Sequence, residues 1–285
     1  MMAAALPMLP RRARGFTLLE AILVIALTGI VASMVTVFMR APITAYVDQA
    51  RRAELADGAD GALRRVAREL ARALPNSARV DPSGLWLEVL PVTAGGRYRA
   101  APDAAGAGDW LDFDTPSDNG FDVLGPSVDV AAGDQLVVSN LGLPGADAYS
   151  GESRRALTSI GTSLGHLSYS VGASQLPFPS PSNRFQIVAT PVSFGCAPGA
   201  GGTGTLRRYG GYAIQAAQPV DAAAAPLAAL SARNASLVTD KVESCAFTLG
   251  GGNSARSAVV TLRLTLASGG ERLTLLHQVH MDNSP

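Results

Sequence analysis

A single carboxylate, Glu20, stands near the start of an otherwise apolar run that extends from Phe16 to Met39. A charged side chain inside a membrane helix costs about 2.5–3.5 kcal/mol on insertion scales, and such residues usually have a partner and a role. Two opposite charges in a medium of low dielectric attract strongly and offset part of each other's desolvation. The sequence therefore predicts that Glu20 pairs with a cation. A position among the lipid headgroups is the simpler alternative.

The apolar run is long enough to cross a membrane as one helix. Its 24 residues would span about 36 Å as a helix, against a hydrocarbon core of about 30 Å. A secretory signal peptide would be shorter and would end at small residues, whereas this run continues past Ala32-Ser33. A plain signal anchor is a second alternative, but it gives no reason for Glu20. Arginines flank the run on both sides, so the positive-inside rule does not decide the orientation by count.

The two cysteines, Cys196 and Cys245, are far apart in the sequence and flank strand-like segments. In an oxidising periplasm such a pair is expected to form a disulfide. Closing a loop of about 50 residues would stabilise the fold by about 4 kcal/mol in the chain-entropy model. Two free buried thiols are the alternative. A zinc site is disfavoured because no second pair of ligands has suitable spacing.

A possible catalytic serine, Ser163, lies in a Gly-x-Ser-x-Gly sequence, the spacing of a nucleophile elbow. His277, His280 and an acid such as Asp240 follow it. The elbow requires a strand before the serine and a helix after it, yet His166–Val171 alternates like a strand. We therefore interpret the motif as a Gly-Ser turn. A membrane-anchored periplasmic serine hydrolase is kept as an alternative of a different class.

Two other motifs lack the secondary structure that their chemistry would require. Gly199–Gly204 matches the spacing of a dinucleotide fingerprint, but Thr205–Tyr209 is not a helix start. His277 and His280 are three residues apart on a predicted strand, so they point to opposite faces and cannot chelate one metal. The sequence predicts no catalytic residue, no cofactor and no metal site.

The charge balance argues against nucleic acid as a partner. Lys and Arg total 23, and Asp and Glu total 23, so the formal net charge is zero. A nucleic-acid-binding domain usually carries a basic patch or stripe. The short basic pairs Arg154-Arg155 and Arg207-Arg208 are interpreted as solvated surface.

The elements that must position these residues begin with a second helical stretch, from Ile43 to Leu74. Pro75 and Asn76 are expected to end it. Apolar residues recur at steps of three or four and form one stripe: Leu55, Ala59, Leu63, Val66, Leu70 and Leu74. The arginines of this stretch lie mostly off the stripe, on a predicted solvated face: Arg51, Arg52, Arg64, Arg65, Arg68 and Arg72.

After Pro75 the period of the apolar residues changes from helical to strand-like. Five segments are predicted to be strands: Leu85–Leu90, Gln135–Val138, Arg184–Ala189, Ala258–Leu264 and Leu273–Val279. The last two are expected to form a hairpin across Ser268–Gly270. Four Gly, Pro, Ser and Asp clusters are predicted to be loops: Thr93–Asp109, Gly172–Asn183, Ala197–Gly204 and Gly250–Asn253. Ala222–Ala232 is expected to be a short helix or an Ala-rich loop. The fold class predicted is α+β, a long N-terminal helix packed on a mainly antiparallel β head.

The sequence from Gly15 to Glu20, Gly-Phe-Thr-Leu-Leu-Glu, resembles that of type IV pilin-like proteins. Members of this family carry a short basic leader ending in Gly, then Phe-Thr-Leu-x-Glu, then a membrane helix. The resemblance implies that a prepilin peptidase cuts between Gly15 and Phe16 and methylates the new amino group of Phe16. It also implies that Glu20 pairs with the Phe16 ammonium of a neighbouring subunit. The basic leader residues would be Arg11, Arg12 and Arg14.

A second, weaker resemblance extends over nearly the whole chain. Four segments are similar to those of the MshO-type minor pilins of mannose-sensitive haemagglutinin pili: Ala41–Asp48, Arg64–Leu70, Ala73–Ser77 and Leu275–His280. The chain departs from major pilins at Val37, where they often carry a helix-bending proline; Pro42 follows five residues later. Where a bend would lie is left open.

Together these resemblances imply a minor pilin that acts in pilus assembly or filament priming and is not an enzyme. Its partners would be prepilin peptidase, other pilins and inner-membrane lipid. Four regions are expected: a leader over 1–15, a transmembrane helix over 16–39, its periplasmic continuation over 40–75, and a β-rich periplasmic head over 76–285. The N-terminus would be cytoplasmic. A minor pseudopilin of a type II secretion system is the nearest alternative.

Overall fold

The computed structural model describes residues 15–172, 175–251 and 257–284. Packing divides the chain into one unit that ends at Ala50 and a second that begins at Arg51. The described elements are the helix α1 (Leu18–Leu70), the strands β1 (Arg79–Val80), β2 (Trp86–Val89), β3 (Val92–Tyr98), β4 (Gly120–Leu124), β5 (Val128–Val130), β6 (Gln135–Val137), β7 (Arg154–Ala156), β8 (Gly161–Leu164), β9 (His166–Ser168), β10 (Arg184–Val188), β11 (Val192–Ala197), β12 (Gly204–Gly210), β13 (Ala235–Gly250), β14 (Ser257–Ser268) and β15 (Glu271–Asp282), and the 3₁₀ turns η1 (Ala200–Gly202) and η2 (Leu227–Ala229).

The predicted fold class is confirmed, since one long helix is followed by a mainly antiparallel β domain. Within the described residues the strands form three sheets, and their pairings are all antiparallel. A seven-stranded sheet has the order β1-β2-β11-β12-β13-β14-β15, a six-stranded sheet has the order β7-β6-β10-β3-β4-β9, and β5 pairs with β8.

In the first unit, the hydroxyl groups of the apolar helix bond back to its own backbone. Thr28 donates to the Val24 carbonyl at 2.7 Å, and Thr36 donates to that of Ala32 at 2.8 Å. Such local bonds satisfy short hydroxyl side chains without an external partner. A carboxylate carries no proton to donate in this way, so Glu20 remains the costly group of the run.

In the second unit, helical residues 51–70 pack their apolar stripe against the seven-stranded sheet. All six predicted stripe residues, from Leu55 to Leu74, are at most 5% exposed. Leu74 packs in a separate cluster with Leu90. The other five share one core with β2 and β11–β15, including Leu87, Phe194 and Leu264. The 3.6-residue period of the stripe places these side chains on one face of the helix, which explains why the prediction is confirmed.

The predicted solvated face is confirmed for most of the helix arginines, which are exposed, although some charged residues at the helix edges also contact the sheet. Arg52 Nε lies 2.6 Å from Glu271 Oε2 in β15, and Arg65 donates to Ser236 in β13 at 3.3 Å. Glu69 accepts from Arg208 of β12 at 2.9 Å. Long side chains beside a buried stripe reach the flanking strands, so the helix edges carry ion pairs to the sheet. Exposed pairs of this kind contribute about 0–1 kcal/mol each.

The helix ends at Leu70, earlier than the predicted end at Leu74. Ala73 forms a β-bridge with Pro91, and the Leu74 N–H donates to the Leu90 carbonyl at 2.7 Å. These backbone groups pair with the segment between β2 and β3, so they cannot continue the helical hydrogen-bond pattern.

The five predicted strands are present as β2, β6, β10, β14 and β15. The terminal hairpin is also confirmed, with Ser268 and Glu271 paired across Gly269-Gly270. Both glycines have positive φ, 58° and 87°, the backbone conformation that a tight two-residue hairpin turn requires.

Several strand and loop predictions were wrong or missing. The predicted loop Thr93–Asp109 contains most of β3. Gly95 and Gly96 made this segment look like a loop, but it pairs with β10 as a strand. Eight of the described strands were not predicted: β1, β4, β5, β7, β8, β11, β12 and β13. In β13 a register shift between Val242 and Ser244 interrupts the alternation, so its buried residues do not follow a period of two. The Ala197–Gly204 loop contains η1, and the Ala222–Ala232 segment contains η2.

A second core lies on the six-stranded sheet and is centred on aromatic rings. Phe121 is fully buried, and its ring centroid lies 5.2 Å from that of Phe185 and 6.1 Å from that of Tyr98.

Near the end of the helix, Asn140 donates to the Pro75 carbonyl at 2.7 Å, and Asn76 donates to the Asn140 carbonyl at 2.9 Å. These bonds tie the chain after the helix to the loop after β6.

Candidate functional site

The junction before the helix is short and exposed. Gly15, Phe16 and Thr17 precede α1, and the Phe16 side chain is 78% exposed. A side chain built at Gly15 would meet nothing within 4 Å. Gly15 and Phe16 are thus open to a second protein such as a peptidase. The predicted leader residues Arg11, Arg12 and Arg14 lie outside the described residues.

Thr17 caps the helix that begins at Leu18. Its Oγ1 accepts the Glu20 backbone N–H at 3.3 Å, and its carbonyl accepts the Ala21 N–H at 3.1 Å. The spacing Thr17-x-x-Glu20 is that of a capping box, a signal that sequence reasoning missed. A threonine cap contributes about 0.5–2 kcal/mol to helix stability. The cap places Glu20 in the first helical turn, where the helix dipole favours a negative charge.

The Glu20 carboxylate is exposed and is surrounded by exposed apolar side chains. Leu18 and Leu19 are 79% and 73% exposed, and Ile22 is 57% exposed. Within the part of the chain that the structure describes, no ion pair involves Glu20. By length and composition, α1 is a helix that could cross a membrane. The predicted site residue Glu20 therefore lies in the first turn of the helix, Phe16 lies two residues before the helix, and the side chains around both are apolar and exposed.

Residues 10–36 match the family model of the prokaryotic N-terminal methylation motif. The motif supports a type IV pilin-like protein. It implies processing by prepilin peptidase and association with other pilins, in a family that is typically structural. The motif and the apolar helix are consistent with a single-pass membrane anchor. No curated protein and no solved structure matches the chain.

In the second unit, Cys196 of β11 and Cys245 of β13 form a disulfide with their Cα atoms 6.6 Å apart. Both strands pair with β12, so the bridge joins two strands that are not hydrogen-bonded neighbours. The Cα separation lies within the usual range for disulfides.

The alternative serine site does not have the setting of a nucleophile elbow. Ser163 lies in β8, paired with β5, where a Gly-Ser turn was predicted. Its backbone N–H donates to Asp129 at 2.9 Å. The next element is the strand β9 and not a helix, while His277 and His280 belong to β15 of another sheet.

A buried polar network in the head was missed by sequence reasoning. Glu88 is fully buried and accepts from Arg79 Nε at 2.7 Å and from the Tyr212 hydroxyl at 2.8 Å. Ser193 shares a hydrogen bond with Tyr212, and the Arg79 guanidinium lies 3.6 Å above the ring of Tyr149. Burial raises the pKa of Glu88, and Arg79 acts against that rise. Because each charged or hydroxyl group has a partner, the network is a structural link between β1, β2, β11 and the segment after β12.

No group of three or more His, Cys, Asp or Glu residues with the geometry of a metal site occurs within residues 15–172, 175–251 and 257–284. The glycine-rich segment Gly199–Gly204 leads into β12 through η1, without the helix that a dinucleotide site needs. Among the sites within the described residues, the amino-terminal junction therefore gives the best support for a function.

Proposed function

We propose that this chain is a minor pilin of a type IV pilus, of the mannose-sensitive haemagglutinin kind, that takes part in pilus assembly or filament priming. The observation that carries the proposal is the sequence Gly15-Phe16-Thr17-Leu18-Leu19-Glu20 at the start of an exposed apolar helix, within the matched motif. Prepilin peptidase cuts between Gly15 and Phe16 and methylates the Phe16 amine. Glycine before the scissile bond leaves room for an intramembrane protease.

Methylation of Phe16 keeps its positive charge, and this charge is the proposed partner of Glu20 in a neighbouring subunit. In lipid each charge alone would carry the full cost of desolvation, whereas the pair recovers much of it. The exposed apolar side chains around Glu20 support packing against other membrane helices. The segment over 16–39 spans the inner membrane with a cytoplasmic N-terminus, and the residues from 76 onward form a periplasmic head.

Changing Glu20 to Ala tests this assignment. The Glu20→Ala variant is expected to be processed normally, because the cleavage site is unchanged, and to be depleted at least tenfold from sheared filaments. Quantitative immunoblots of membrane and filament fractions measure both effects. Asp57→Ala is the control, since Asp57 is an exposed helical carboxylate of the second unit. Wild-type levels of Glu20→Ala in filaments would remove the proposed role of Glu20.

A minor pseudopilin of a type II secretion system is the second candidate, because the matched motif serves pilins and pseudopilins alike. Deletion of the chain separates the two. The pilus assignment predicts loss of surface pili with exoprotein secretion intact. Loss of secretion with normal pili would assign the chain to the secretion system.

A further inference from the structure

Two arginines face each other across neighbouring strands of the six-stranded sheet. Arg97 of β3 and Arg184 of β10 are direct register partners, and both are exposed. Like charges directly opposite in an antiparallel pair destabilise the sheet. Among the described residues, neither arginine belongs to a salt bridge. The fold thus holds an unfavourable pair whose repulsion a bound anion would relieve.

Asp282 is an acidic group that interacts electrostatically with Arg184, but its carboxylate is hydrogen-bonded to another residue. Its carboxylate accepts the Ser284 backbone N–H at 2.9 Å. This bond is the main cause of the lowered pKa of Asp282, and Arg184 is the weakest cause. Asp282 therefore does not neutralise the arginine pair by direct contact.

The arginine pair borders a groove of about 430 Å³, within the range of about 300–1,000 Å³ that small-molecule sites occupy. The groove floor at Gly95 is exposed backbone, because this position has no side chain. Gln186, the register partner of Gly95, adds an amide to the lining. The groove is open to solvent and its exposed lining is mostly apolar, with the two guanidinium groups and this amide as its polar side chains.

One wall of the groove is apolar. Leu124 of β4 is 43% exposed and is the register partner of Arg97, so Leu124, Arg97 and Arg184 form one row across three strands. Pro126 extends this wall. The aromatic residue of the lining, Phe185, is only 1% exposed. A ring that stacks on nucleic-acid bases must be exposed, so the lining offers no stacking surface for a base. The aliphatic side chains of Leu124 and Pro126 can instead lie against the C–H groups of a ligand whose oxyanion meets the arginines.

We propose that this arginine groove binds an acidic saccharide, whose oxyanion bridges Arg97 and Arg184 and whose C–H face lies on Leu124 and Pro126. Guanidinium groups recognise carboxylate and phosphate through paired N–H donors. The shared chemistry is an oxyanion carried on a sugar, either a uronate carboxylate or a sugar phosphate. This inference goes beyond filament assembly and does not depend on Glu20.

Calorimetric titration of the detergent-solubilised full chain at constant ionic strength tests the groove. The probes are tri-galacturonate, glucose 6-phosphate and the neutral sugar maltotriose. Saturable binding of either charged sugar supports the proposal, and the one that binds identifies the oxyanion. Arg97→Gln and Arg184→Gln are each expected to weaken that binding at least tenfold. Arg97→Lys keeps the positive charge but lacks the paired N–H donors of a guanidinium group, so we expect an intermediate loss.

Arg263→Gln is the matched control. Arg263 is an exposed strand arginine whose register partners are Ala246 and Leu276, so no like charge lies opposite it. Three results would overturn the proposal: no binding of either charged sugar, equal binding of maltotriose, or an equal loss in Arg263→Gln. A thermal midpoint recorded for each variant checks its folding. Glu20→Ala leaves this binding unchanged if the groove acts alone, so the two proposals fail separately.

Discussion

At the scale of single residues, whether Cys196 and Cys245 are oxidised depends on the compartment in which the second unit lies. We propose that their bridge forms when the head reaches an oxidising periplasm. Alkylation of the unreduced protein by a maleimide in denaturant, which exposes both positions, is expected to add no label, and two labels are expected after reduction. Protein kept in the cytoplasm by deletion of residues 16–39 is the control and should take two labels directly. Two labels on unreduced, membrane-inserted protein would contradict the periplasmic placement.

The residues of the amino-terminal junction could be predicted because their signals are local. A carboxylate in an apolar run stands out from its neighbours whatever the rest of the fold does, so Glu20 was identified from the sequence. The cap formed by Thr17 could have been predicted from its spacing to Glu20. By contrast, Arg97 and Arg184 meet only through the register of β3 and β10. No local pattern contains that register, and the same holds for Arg79, Glu88 and Tyr212.

At the scale of elements, the helical stripe of residues 51–70 is the main support of the seven-stranded sheet. Leu70 is 2% exposed within the shared core, so Leu70→Ala is expected to lower the free energy of unfolding by about 2–5 kcal/mol. Leu276→Ala is the control, because Leu276 is 61% exposed and surface changes usually cost less than about 0.5 kcal/mol. Denaturation followed by the fluorescence of the half-buried Trp86 measures both. Equal losses in the two variants would contradict the packing of the helix on the sheet.

Elements in which apolar residues recur at a regular spacing could be predicted from the sequence. Elements whose structure depends on pairing with a distant segment could not. The stripe from Leu55 to Leu74 and the hairpin of β14 and β15 follow a simple period over many residues. The strand β3 carries two adjacent glycines, whose usual meaning is a loop, yet pairing with β10 makes it a strand. The helix end was misplaced because backbone bonds to Leu90, which lies later in the chain, decide it.

At the scale of the whole molecule, the two compact units carry different chemistry. The unit up to Ala50 contains the matched motif and the exposed apolar helix. The unit from Arg51 contains the sheets, the disulfide and the arginine groove. We propose that the first unit serves maturation and assembly and that the second serves recognition of a ligand.

The proposed function depends first on maturation, in which the chain is cut between Gly15 and Phe16 and the new amino group is methylated. Mass spectrometry of the first peptide of the protein, purified from membranes of cells that contain prepilin peptidase, tests this maturation. We expect a peptide that begins at Phe16 and is heavier by one methyl group, and uncut precursor when Gly15 is changed to Leu. A first peptide that still contains the residues before Gly15, or a normally processed Gly15→Leu variant, would contradict it.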